Sequence, residues 1–95
     1  MISVESNARP GGWSPVSPAD AKVKIAAQRA IAARSLIEKN ELTLATIENA
    51  QRQVVAGLNY KPRLSVVQDG KTNNASATVW AKLDGNYQLT AWTWE

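Results

Sequence analysis

From Asp20 to Lys39 the chain runs without glycine or proline, and its apolar positions recur at helical spacing. Val23, Ala26, Ala27, Ala30, Ala33 and Ile37 fall on one face, with Ile31 at its edge. Alanine is a strong helix former, and a stripe of small side chains lets a sheet approach closely. Ser17-Pro18-Ala19-Asp20 reads as the helix start: serine capping the first free amides, proline at the first helical position, aspartate facing the positive end. Asn40 is the expected stop. Beyond it the period changes to two. Leu42-Thr43-Leu44 opens a β-prone run towards Val55, with a slip near Thr46-Ile47 where a bulge would reset the facing. Gly57 interrupts the run, and Leu58, Tyr60, Leu64 and Val66 resume the alternation as far as an Asp69-Gly70 turn. Ala75, Ala77, Val79, Ala81 and Leu83 form the next strand face. In the last strand Tyr87, Leu89 and Ala91 share one face, and Gln88, Thr90, Trp92 and Trp94 share the other. One helix followed by four antiparallel strands is an α+β domain.

Residues 1–16 hold no sustained apolar period and contain Asn7, Pro10, Gly11, Gly12 and Pro15. They read as a flexible N-terminal trunk, leaving 17–95 as a single domain. A chain of 95 residues supports one modest core.

Composition narrows the function. The chain has no histidine and no cysteine. That excludes cysteine–histidine and serine–histidine catalysis, thiolate metal sites, disulfides and thiol redox chemistry. Glu38, Glu41 and Glu48 show no paired-carboxylate pattern for hydrolysis. The expectation is therefore not an enzyme, with neither metal nor cofactor. Eleven basic residues against eight acidic give +3, too small an excess to imply nucleic acid without a basic cluster. No apolar run approaches the ~20 residues of a membrane helix. No export signal follows Met1, so the compartment stays open: cytoplasmic if Met1 is native, extracellular if a signal peptide was removed.

The informative segment is Gln53-Val54-Val55-Ala56-Gly57, followed by Leu58-Asn59-Tyr60. Two strands meet here at a tight apolar tip. Two adjacent valines at a turn leave at least one facing water, which makes the tip a candidate binding wedge. The plain structural account is a hairpin whose valines cover a neighbouring core.

These residues resemble the cystatin family of cysteine-peptidase inhibitors. Gln53 to Gly57 matches the family's first-hairpin motif, glutamine-x-valine-x-glycine, in its commonest form. Asn59-Tyr60 follows as in many cystatins, a long helix precedes, and Pro10-Gly11-Gly12 sits where the family keeps a trunk glycine. Val79-Trp80 and Asn86-Tyr87-Gln88-Leu89 are similar to the flanks of the family's second hairpin. The resemblance implies a cystatin-like fold, one long helix wrapped by a four- to five-stranded antiparallel sheet. It implies reversible, competitive inhibition of papain-like, cathepsin-type cysteine peptidases by a wedge of trunk and two hairpins. Arg9, Pro10, Gly11 and Gly12 would form the trunk contact, Gln53, Val54, Val55, Ala56 and Gly57 the first hairpin, and Leu83, Asp84 and Gly85 a weak second hairpin. Without cysteine the chain looks closer to stefins than to secreted, disulfide-bonded members. The implied state is a monomer, with a domain-swapped dimer, exchanged through the first hairpin, as a second state; neither nucleic acid nor membrane is an implied partner.

Three departures stand out. Leu83-Asp84-Gly85 replaces the Pro-Trp of many second hairpins, and pairing Leu83 with Tyr87 would leave Asp84-Gly85-Asn86 as a short polar turn. Arg9 and Pro10 replace aliphatic residues before the trunk glycine. Pro62 lies in an interior strand, where a bulge or local unpairing is expected. Parity puts Trp80, Trp92 and Trp94 on the sheet face opposite the helix. That face supplies the alternative reading, a non-inhibitory cystatin-fold interaction module.

Overall fold

The computed structural model describes residues 12–95. Strand β1 (Trp13–Val16) leads into helix α1 (Ala21–Glu38), followed by β2 (Thr43–Val55), β3 (Gly57–Gln68), β4 (Lys71–Ala81) and β5 (Tyr87–Trp94). The strands form one antiparallel sheet in the order β1-β2-β3-β4-β5, and the helix packs across one face of it. This is the α+β arrangement expected, with five strands.

The extra strand is a correction to the sequence reading. The sequence pattern places Trp13–Val16 in the trunk, yet these residues pair with Gln53–Ala50 along the edge of the sheet. Pro15 is tolerated because an edge strand has one unpaired side. The other trunk residues, Arg9, Pro10 and Gly11 included, lie outside the described residues.

The helix starts at Ala21, later than Ser17 suggested. Its N-cap is Asp20, whose carboxylate accepts from the amides of Lys22 (2.9 Å) and Val23 (3.3 Å). Ser17 instead closes the preceding turn, its carbonyl accepting from the Asp20 amide and its hydroxyl from that of Ala19. At the other end Lys39 adopts a left-handed conformation, and the amides of Lys39 and Asn40 return to Leu36 and Ser35.

Val23, Ala26, Ala27, Ala30 and Ile31 are buried as a stripe against Tyr60, Leu64, Val66, Ala75, Ala77 and Val79. The stripe does not continue to Ile37, which is exposed. Glu38 turns to the sheet instead. Its carboxylate accepts from Arg34 (2.7 Å), from Gln68 of β3 (2.9 Å) and from the Trp94 indole of β5 (2.9 Å).

Two bulges, between Leu44 and Thr46 and between Ile47 and Asn49, interrupt β2 and flank the anticipated slip. At Pro62 the β3–β4 ladder skips Lys61 and Pro62 and resumes in the same register at Arg63 opposite Ser76. A third bulge was not anticipated. Thr78 pairs with Ala91 but Val79 pairs with Leu89, so Thr90 is the extra residue, its hydroxyl donating to the Thr78 carbonyl (3.2 Å).

That one residue inverts the facing of the rest of β5. Trp92 and Trp94 lie opposite Ala77 and Ala75, on the helix side, and pack against the core. They meet edge to face with centroids 5.2 Å apart, and the Arg34 guanidinium lies over Trp92. An alanine-lined helix leaves volume above the sheet, and two indoles fill it. Of these three tryptophans only Trp80 stays on the face opposite the helix, where Trp13 of β1 shares its cross-strand row through Gln53 and Asn59, so the surface of the alternative reading shrinks and shifts to the hairpin end.

Candidate functional site

The turns β2–β3 and β4–β5 lie at the same end of the sheet, beside the N-terminal end of α1. Between them is a groove of about 540 Å3 whose walls include Lys22, Val55, Leu58, Lys82 and Leu83.

The first hairpin is as tight as it can be. Val55 pairs with Gly57, leaving Ala56 alone at the tip. Gly57 has φ +92°, a region that side chains rarely adopt. A Cβ there would collide with the Ala81 carbonyl oxygen, so glycine also allows β4 to pass close behind the tip. Val54 and Val55 are 41% and 38% exposed, which is unusual for valines in paired strands. Gln53 pairs with Asn59, whose amide donates to the Gln53 side-chain oxygen at 2.8 Å. Trp80, one strand further on, donates its indole N–H to the Ala56 carbonyl at 2.8 Å. Beneath the hairpin Tyr60 is buried, and that burial pushes its phenol above the ordinary 10.0.

The second hairpin differs from the sequence expectation. Ala81, rather than Leu83, pairs with Tyr87. Lys82 donates its amide to the Asn86 carbonyl (2.7 Å), and the Gly85 amide returns to Lys82 (3.1 Å). Leu83, Asp84 and Gly85 are thus the three residues of the loop, and Asn86 closes it. The Asp84 carboxylate accepts from the Asn86 amide, which holds it below its ordinary 3.8. Gly85 takes φ +91°, the conformation that a three-residue loop requires of its last residue. Leu83 projects at the tip, 83% exposed. The register slip of two residues follows from this loop chemistry, because parity alone allows either pairing.

The two hairpin segments singled out from sequence are therefore brought together at one end. Gly12 precedes β1, whose Trp13 pairs with Gln53, so the described chain enters the sheet beside the first hairpin. Arg9, Pro10 and Gly11 lie outside the described residues. Sequence reasoning missed Trp80 as the prop of the first hairpin, and Lys22 and Lys82 as walls of the groove. Only the cross-strand register brings them there. Among the described residues, no group of histidine, cysteine, aspartate or glutamate side chains could hold a metal ion, and no helix is long and apolar enough to cross a membrane.

A family model for the cystatin domain matches residues 11–93. No match was found among curated protein sequences. Among solved structures the chain is similar to a salivary cystatin from the soft tick Ornithodoros moubata, with a TM-score of 0.76, 19% identity, and coverage of 92% of this chain and 99% of that one. It is also similar to mialostatin, a gut cystatin from the hard tick Ixodes ricinus, with a TM-score of 0.77, 16% identity, and coverage of 88% and 97%. The absence of cysteine fits a disulfide-free, stefin-like member. With the match spanning nearly all of the described fold, the chain belongs to the cystatin family, whose members are inhibitors of cysteine proteases rather than enzymes.

Proposed function

We propose that this protein is a reversible, competitive inhibitor of papain-like cysteine peptidases of the cathepsin type. The observation that carries the reading is the exposed Val54-Val55 tip, tied to β4 by the Trp80 hydrogen bond beside a second projecting hairpin at one end of the sheet. Apolar area that water surrounds in the free protein is available for burial in a cleft, and a pre-formed tip loses little entropy on binding. Gln53 to Gly57 would lie over the catalytic centre, with Arg9 to Gly12 along the substrate groove on one side. Leu83 would make a lesser apolar contact, with Asp84 and Gly85 remaining solvated.

The wedge holds no nucleophile–base pair, and its one carboxylate, Asp84, is an exposed loop group bound to the Asn86 amide. Inhibition is occlusion, and it reverses when the wedge leaves. The active form is the monomer, because a dimer exchanged through the first hairpin would straighten Val54 to Gly57 into one continuous strand and lose the tip. The test is titration of a papain-like peptidase with a fluorogenic substrate. Sub-micromolar competitive inhibition that is relieved by dilution is expected. No inhibition at tens of micromolar, weaker than about −6 to −7 kcal/mol, would contradict it.

A further inference from the structure

A net charge of +3 conceals a strong sorting of charge by the fold. Lys22, Lys24 and Arg29 lie on the first half of α1, Arg52 and Lys61 on the two arms of the first hairpin, and Lys82 at the base of the second. Against them at this end stand Asp20 and Asp84, and both carboxylates are engaged by backbone amides. The acidic residues Glu38, Glu41, Glu48, Asp69 and Glu95 lie from mid-sheet to the other end, where Arg34, Lys39, Arg63 and Lys71 nearly balance them, so the excess of positive charge is concentrated at the hairpin end.

The way the cations are held differs too. Among the described residues the ion pairs are Arg34 with Glu38 and Arg63 with Glu48 and Glu95, all away from the hairpin tips. At the hairpin end, cations sit on aromatic rings instead: Arg29 over Tyr87 (5.5 Å), Lys61 over Trp13 (4.9 Å) and Lys82 over Trp80 (5.3 Å). A ring positions a cation without neutralising it. The field of this end is therefore positive, and its charges are partly fixed in place before any partner arrives.

We propose that the hairpin end recognises a papain-like peptidase whose active-site cleft is rimmed by acidic side chains, and that the cations set the rate of encounter and the choice among such peptidases. This rests on the inhibitor reading above. The apolar tips supply the desolvated contact, while Lys22, Lys61 and Lys82 surround it at positions suited to a solvated rim. Charges at a rim act mainly on association and on partner choice, and their effect is screened by salt.

The experiment is stopped-flow association of the full chain with two papain-like peptidases, one acidic and one basic around the cleft, from about 20 to about 200 mM sodium chloride. Association with the acidic enzyme should fall about tenfold across this range, and association with the basic one should not fall. Lys22→Gln/Lys61→Gln/Lys82→Gln should slow low-salt association about tenfold and flatten the salt dependence, with dissociation changing less than about threefold. Lys22→Gln/Lys24→Gln, which disturbs no aromatic contact, should act in the same direction by about threefold. Salt-independent association, or variants that match the parent while inhibition persists, would overturn the proposal and leave the inhibitor reading standing. Failure to inhibit either enzyme at low salt would overturn that reading, and the proposal with it. Salt-sensitive retention on heparin without a salt effect on peptidase association would reassign the face to an anionic polymer, and so also overturn the proposal.

Discussion

The indole N–H of Trp80 and the carbonyl oxygen of Ala56 are 2.8 Å apart, a hydrogen bond that joins β4 to the tip of the first hairpin across β3. Ala56 is the one residue between the paired Val55 and Gly57, so its carbonyl would otherwise be left to water. The bond fixes the plane of the peptide that carries Gly57. A tip held in this way presents Val54 and Val55 in one arrangement rather than several.

Trp80→Phe keeps most of the ring and removes the donor. One hydrogen bond of this kind contributes about 1 kcal/mol, so dissociation from a papain-like peptidase should accelerate about fivefold. The melting temperature should change little, because the bond lies at the exposed end of the sheet. Amide exchange at Gly57 should rise in the free variant. Unchanged dissociation together with unchanged exchange would show that the tip holds itself.

Removal of residues 1–11 leaves all of β1, which starts at Trp13, and so keeps every strand of the described sheet. The second hairpin offers Leu83 where many cystatins carry an aromatic anchor, so on the proposed reading the trunk should supply a larger share of the affinity. Inhibition should weaken about tenfold, roughly 1.4 kcal/mol, mostly through faster dissociation. Thermal melting and inhibition of the truncated and full-length chains check both halves of this statement.

Much of the fold was legible because its signals are local. The alanine-rich helix, the bulged β2, the glycine at the hairpin and the unpairing at Pro62 each follow from residues close together in sequence. The failures have non-local causes. Parity carried Trp92 and Trp94 to the outer face, because nothing in Leu89-Thr90-Ala91 announces that Thr90 will be bulged against Thr78. Strand β1 has four residues, one of them proline, and gains its strand geometry from β2 rather than from its own pattern. Asp20 displaced Ser17 as the cap because its carboxylate reaches two amides, whereas Ser17 is occupied in the preceding turn. For the site, the motif located the first hairpin, but the Trp80 prop and the sorted charge exist only once the strands are in register.

Glu38 ties the end of the helix to β3 and β5, and the fold should sense its ionisation. The Trp94 indole, then the Arg34 guanidinium, hold its carboxyl below the ordinary 4.5, and Gln68 adds to them. A group lowered in this way contributes stability in full above its unfolded value and loses it as pH falls through the folded one. Glu38→Gln should therefore lower the melting temperature near neutral pH, by the equivalent of about 1–2 kcal/mol. The gap from the parent should narrow as the pH falls from about 4.5 towards 3. Thermal melts of both proteins across that range test it, and a gap that stays constant would assign the effect to packing rather than charge.

The central claim, that the first hairpin enters a peptidase cleft, is tested most directly by Val55→Asp. Val55 is 38% exposed and faces the groove that Lys22 and Lys82 line, so the free protein should accept an aspartate with little loss of stability. In a closed complex the same carboxylate would be desolvated against the enzyme, at a cost of several kcal/mol. The measurement is the ratio of inhibition constants of variant and parent on one papain-like peptidase, with the melting temperature of each recorded alongside. A ratio of about one hundred or more, close to 2.7 kcal/mol, with melting shifted by only a few degrees, is the predicted result. Equal inhibition constants for two folded proteins would contradict the account.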